Sequence, residues 1–76
     1  MNNVRRSELQ MIIDIINAKK DDLEYCMDEE QYAHDNLPEG LQASEQGEKM
    51  ENAVSCMDEA ISLLEDAILS LQDAIQ

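Results

Sequence analysis

Phenylalanine and tryptophan are missing from this 76-residue chain, and only Tyr25 and Tyr32 stand in for them. A core built on large aromatic anchors is therefore excluded. The apolar content comes from Ile, Leu, Met, Val and Ala, the palette of a helical bundle. Proline occurs once, at Pro38, and glycine twice, at Gly40 and Gly47. Cysteine also occurs twice, at Cys26 and Cys56, too far apart for a close-spaced pair and with no secretory signal ahead of them. That usage predicts a reducing, cytoplasmic setting and no disulfide framework. No apolar run approaches the ~20 residues needed to span a bilayer. The longest, Met11-Ile12-Ile13, is stopped by Asp14, so a soluble protein without membrane contact is expected.

Basic residues are scarce as well. Five Lys and Arg face 18 Asp and Glu, for a net charge of −13. Like-charged nucleic acid would be repelled, which argues against direct DNA or RNA binding. Such a charge suits solubility, a basic partner, or imitation of nucleic acid. A chain this short allows one domain and only a marginal core, so it needs a disulfide, a metal or self-association to supplement it.

What the sequence does hold is helical period. In the second half Met50, Val54, Met57, Ile61, Leu64, Ile68, Leu71 and Ile75 alternate steps of four and three, a heptad seam with Val54, Ile61, Ile68 and Ile75 at a and the Met and Leu residues at d. Ala53, Ala60, Ala67 and Ala74 fill g, and the three-wide stripe predicts a bundle rather than a two-stranded zipper. Leu63 and Leu69 fall outside it and mark a second contact surface. The first half shows a weaker seam through Leu9, Ile12, Ile16, Leu23, Cys26 and Ala33, interrupted at Lys19 and Glu30. There Met11, Ile12, Ile13, Ile15 and Ile16 surround nearly the whole helix, so that segment calls for burial on several sides.

Pro38 and Gly40 place a turn at residues 35–43, between a first helix over about 3–34 and a second over about 44–75. Asn36 and Glu39 have the spacing of a capping box, and Ser44 suits the N-cap of the second helix. The fold class read from this is all-α: an antiparallel, coiled-coil-like hairpin of one domain, residues 1–76, with paired residue numbers summing to roughly 80. Leu9 then meets Leu71, Ile12 meets Ile68, Ile16 meets Leu64, Leu23 meets Met57, Cys26 meets Val54 and Ala33 meets Gly47, while Arg5 and Arg6 reach the far helix C-terminus. Helices of ~30 residues, about 45 Å long, would leave half of each stripe wet. Assembly into a multi-helix homo-oligomer, most simply a dimeric four-helix bundle, follows, with Met11, Ile12, Ile13, Ile15, Ile16, Leu63 and Leu69 as interface candidates.

Chemistry is harder to find. His34 has no cysteine or serine at a spacing that suggests an activated nucleophile, and it reads as a surface histidine; Cys26 reads as a core residue and Cys56 as one on a polar face. Glu30 and His34 share a helix face, but the Glu-x-x-His spacing of di-metal bundles is absent, so neither metal nor cofactor is expected. Glu45, Glu48 and Glu51 have the Glu-x-x-Glu spacing that magnesium-dependent nucleotide hydrolases use, without a second acidic pair opposite. Arg5, Arg6, Lys19 and Lys20, with Tyr25 or Tyr32, are candidates for holding a small anionic nucleotide between helices of an oligomer. Asp58, Glu59, Glu65, Asp66 and Asp73 recur on the outer face of the second helix, the placement that nucleic-acid mimicry would use, although exposed coiled-coil faces carry charge at that period anyway.

The run from Asp35 to Glu45, with Asn36, Pro38-Glu39, Leu41-Gln42 and Ser44-Glu45 followed by acidic-Ala-Ile blocks, resembles a pattern in small uncharacterised acidic helical-hairpin proteins of phages and of Firmicutes and related bacteria. The match covers most of the second half; Gly47 departs from it, where a larger residue is expected. The resemblance implies a helical hairpin and a phage or mobile-element origin, and carries no activity. It makes Asn36, Pro38, Glu39, Leu41, Gln42, Ser44 and Glu45 the first candidates for partner contact. The function expected is a non-enzymatic, acidic, oligomeric binding protein that inhibits a host protein. The alternative is a sponge that sequesters a small nucleotide signal.

Overall fold

The computed structural model describes residues Met1–Gln76 and is all-helical. Helix α1 spans Asn3–Asp35, the short α2 spans Glu39–Gln42, and α3 spans Glu45–Ile75. α1 starts where Asn2, in extended backbone, accepts a hydrogen bond from the Arg5 amide at 2.8 Å, satisfying one of the N–H groups that a helix start leaves open. It stops because Pro38 cannot continue it and disfavours helical backbone at Leu37. Asn36 closes that end: its Nδ2 donates back to the Tyr32 carbonyl at 2.7 Å. The expected capping box of Asn36 and Glu39 therefore does not form, and α2 starts at Pro38 with no side-chain cap. Ser44 does cap α3, its Oγ accepting from the Gly47 amide at 3.3 Å and donating to the Leu41 carbonyl. Glu45 and Glu48 complement the positive end of that helix.

α1 and α3 lie antiparallel in a rod of 58 × 15 × 12 Å. Three polar links set the register: the Arg6 Nε donates to the Ile75 carbonyl at 2.9 Å, Lys20 lies 3.7 Å from Glu65, and His34 lies 3.2 Å from Glu51. They put the reversal slightly later than residue 40. Arg6 also answers one of the carbonyls that the α3 terminus leaves open, as its position in the sequence suggested.

On α3 the heptad seam is realised: Gly47, Met50, Val54, Met57, Ile61, Leu64, Ile68, Leu71 and Ile75 are buried or half-buried. Of the g-row alanines, Ala53 and Ala60 near the turn are half-buried, whereas Ala67 and Ala74 are exposed. On α1 the expected seam is displaced. Beyond Leu9 it runs through Ile13, Ile16, Lys20, Leu23, Met27, Glu30 and His34, while Ile12, Cys26 and Ala33 face solvent. Both phases contain Leu9, Ile16 and Leu23. The observed one covers the longer Met27 in place of Cys26 and brings Lys20 and His34 to carboxylates on α3.

Ile13 is 1% exposed, and with Ile61 and Ile68 it makes up the buried large apolar side chains. Ile13 and Ile16 are thus spent within the chain and do not form the outer interface expected of them, whereas Met11, Ile12, Ile15, Leu63 and Leu69 are exposed. Gly47 packs beneath the backbone of Leu41 and Gln42, and Ala33, its expected partner, is exposed. No helix is long and apolar enough to cross a membrane.

Candidate functional site

The turn is fastened largely by its own polar side chains. Gln42 Nε2 lies 3.3 Å from the carbonyls of both Asp35 and Leu37, which ties α2 to the end of α1. With Asn36 and Ser44 engaged as caps, three of the contact candidates serve the chain itself. Pro38, Glu39, Leu41 and Glu45 remain on the surface, Glu45 beside Lys49 at 3.3 Å. This clasp explains much of the particular polar sequence of the segment.

His34 is not the surface histidine its position near the loop suggested: it is buried at the turn end of the seam. Its Nδ1 lies 3.4 Å from Asp35, and its Nε2 lies 3.2 Å from Glu51 but without the alignment of a hydrogen bond, so that nitrogen is buried with none formed. The signal for it was present, since His34 follows Ile13, Lys20 and Met27 at seven-residue steps. Glu30, half-buried, belongs to that seam as well. Nowhere do three metal-ligating side chains gather; of the glutamates at Glu-x-x-Glu spacing, Glu45 lies beside Lys49 and Glu51 beside His34.

The anion-binding candidates are dispersed within one chain. Arg6 is bonded at the open end and Lys20 faces Glu65, while Lys19 lies 3.5 Å from Asp22. Tyr25 and Tyr32 are exposed on α1 toward the turn, so Arg6 and Tyr32 stand about 39 Å apart along the helix. No pocket opens on the rod. Glu29, one turn beyond Tyr25, accepts from its phenol and opposes a second negative charge, holding the Tyr25 pKa above the ordinary 10.0. Ultraviolet titration of a Tyr32→Phe chain should show this, and Glu29→Gln should bring the value down; an unchanged titration would count against the pairing.

Folding sorts charge and apolar surface into opposite ends. The open-end half, residues 1–20 and 62–76, carries four basic and five acidic side chains, a net −1. The turn half, residues 21–61, carries one basic and thirteen acidic side chains, a net −12. Most of the exposed large aliphatics, Val4, Met11, Ile12, Ile15, Leu63 and Leu69 among them, lie in the nearly neutral half. Asp58, Glu59, Glu65, Asp66 and Asp73 are all exposed on α3, and both cysteines are exposed free thiols. The candidate functional surface is thus an apolar open end joined to an acidic turn end. No family model, curated protein or solved structure matches the chain.

Proposed function

We propose that this chain is a non-enzymatic, acidic binding protein that assembles with itself through the apolar open half and presents the acidic turn half to a basic surface on another protein. The observation that carries the reading is the segregation itself, net −12 on the turn half against −1 on the half that exposes most of the aliphatics. Exposed apolar surface of this kind marks an interaction site, and concentrated charge speeds and selects encounter with a partner of opposite sign. The phage-protein resemblance of the turn segment supports a host protein as that partner; inhibition of that protein is the outcome we propose. Sedimentation at micromolar concentration should give a helical dimer or larger species, and a helical monomer would remove the assembly. Affinity capture from a bacterial lysate should recover a stoichiometric basic protein that high salt releases, because exposed charges are screened. Recovery of no such protein counts against the partner.

A further inference from the structure

Two flanks run beside the α1·α3 seam, and they differ in character. Glu51 and Glu65, which reach His34 and Lys20, belong to the row Glu51, Asp58, Glu65, Gln72 on one side of the α3 seam. The row on its other side is Ala53, Ala60, Ala67, Ala74, with Cys56, Leu63 and Ser70 just outside. Reversing a helix carries its rows with it, so equivalent rows of an antiparallel pair share a flank. The alanine flank of α3 therefore adjoins the α1 stripe Arg5, Glu8, Ile12, Ile15, Lys19, Asp22. All six of these residues are exposed.

That stripe is complementary to itself when reversed. Laid antiparallel on a second copy, Arg5 meets Asp22, Glu8 meets Lys19 and Ile12 meets Ile15, each contact occurring twice by symmetry. The α3 stripe, reversed on itself, sets Leu63 against Ala74 and Ala67 against Ser70, with no charge to clash. The two centres, between Ile12 and Ile15 and between Ala67 and Ser70, both fall near the midpoint of the span that the Arg6–Ile75 and Lys20–Glu65 links mark off. One two-fold axis across the rod thus serves both stripes. Within the single chain Arg5 and Glu8 have no ionic partner, and Lys19 has only the exposed Asp22.

Area and charge favour the same occupant. The chain exposes 5536 Å², against about 4,700 Å² for a compact monomer of this mass. The excess, roughly 800 Å², is what one partner contributes to an interface of standard size. An axis through the open halves also places the two −12 turn halves at opposite ends, their near edges about 20 Å apart and so beyond a Debye length, whereas stacking the turns together would oppose them.

We infer that a second copy of this chain docks antiparallel on the Ile12–Ile15 and Leu63–Ala74 face, making a four-helix segment from which the two acidic turn halves project in opposite directions. This rests on the self-association proposed above and specifies its face and polarity.

Charge reversal tests it by sedimentation equilibrium, with circular dichroism confirming that helicity is kept. Arg5→Glu and Asp22→Arg should each weaken dimerisation roughly tenfold, since each disrupts two contacts, and the chain carrying both should recover near wild-type affinity. These residues lie about 25 Å apart on one helix, so the recovery has to come from the partner. As a second measurement, a chain with Cys26→Ser and Cys56→Ser plus Glu8→Cys and Lys19→Cys should oxidise to a covalent dimer, and neither new cysteine alone should do so. Within a chain the two are about 16 Å apart, beyond disulfide reach. A dimeric wild type with indifferent single reversals, no recovery, or equal crosslinking by a lone cysteine overturns this face and leaves self-association standing. A monomeric wild type overturns both and assigns the face to a foreign helix.

Discussion

Gly47→Ala is expected to destabilise the hairpin by ~1–3 kcal/mol, although glycine to alanine inside a helix ordinarily gains about 1 kcal/mol. A Cβ at Gly47 would lie 2.1 Å from the Gln42 carbonyl oxygen, 2.6 Å from its carbon and 2.7 Å from the Leu41 oxygen. These are backbone atoms of α2 and cannot rotate away as a side chain end would. Nor can α2 withdraw freely, because Gln42 ties it to α1 and Ser44 bonds the Leu41 carbonyl. Gly40→Ala makes the matched control: nothing lies within 4 Å of its Cβ, so it should gain a few tenths to about 1 kcal/mol. Urea unfolding followed by circular dichroism at one protein concentration separates the two. Gly47→Ala as stable as wild type would mean that α2 does not pack there.

The largest loss should come from Ile13→Ala, at about 2–5 kcal/mol, a large fraction of what holds most small domains folded. Ile13 is 1% exposed, the most deeply buried large side chain of the hairpin, so truncation leaves a cavity that two long helices cannot easily close. The adjacent Ile12, 44% exposed, has the same chemistry on the outer stripe. Ile12→Ala should shift the stability of the lone hairpin within about 0.5 kcal/mol. It should instead reduce the part of the stability that rises with protein concentration, because binding a second copy stabilises the folded form by mass action. Unfolding at two concentrations distinguishes these behaviours. Equal effects of Ile12→Ala and Ile13→Ala would put the observed α1 seam in doubt.

The contrast between these neighbours shows where the sequence was ambiguous. The α3 seam is legible because Met50 to Ile75 recur without a break and the competing apolar row, Ala53, Ala60, Ala67 and Ala74, offers only small side chains. On α1 the doublets Ile12-Ile13 and Ile15-Ile16 satisfy two phases at once, and the polar Lys20, Glu30 and His34 make the occupied phase look the poorer. What distinguishes it is not local: Glu65 and Glu51, on the other helix, lie beside Lys20 and His34. The turn was legible in place but not in mechanism. Asn36 bonds backward to Tyr32 instead of forward to a new helix, and Gln42 bridges carbonyls that only the folded turn brings together.

Composition and period by themselves determined that the chain is helical, that it reverses around Pro38, and which stripe of α3 turns inward. Each of these depends on residues within a few turns of one another. Tertiary structure alone decided which stripe of α1 is buried, that Gly47 must remain without a side chain, and that the Ile12–Ile15 stripe and the Leu63–Ala74 stripe stand at one level on one flank. Those outcomes depend on how two helices align, and such alignment is set by packing and charge between segments that the chain itself keeps apart.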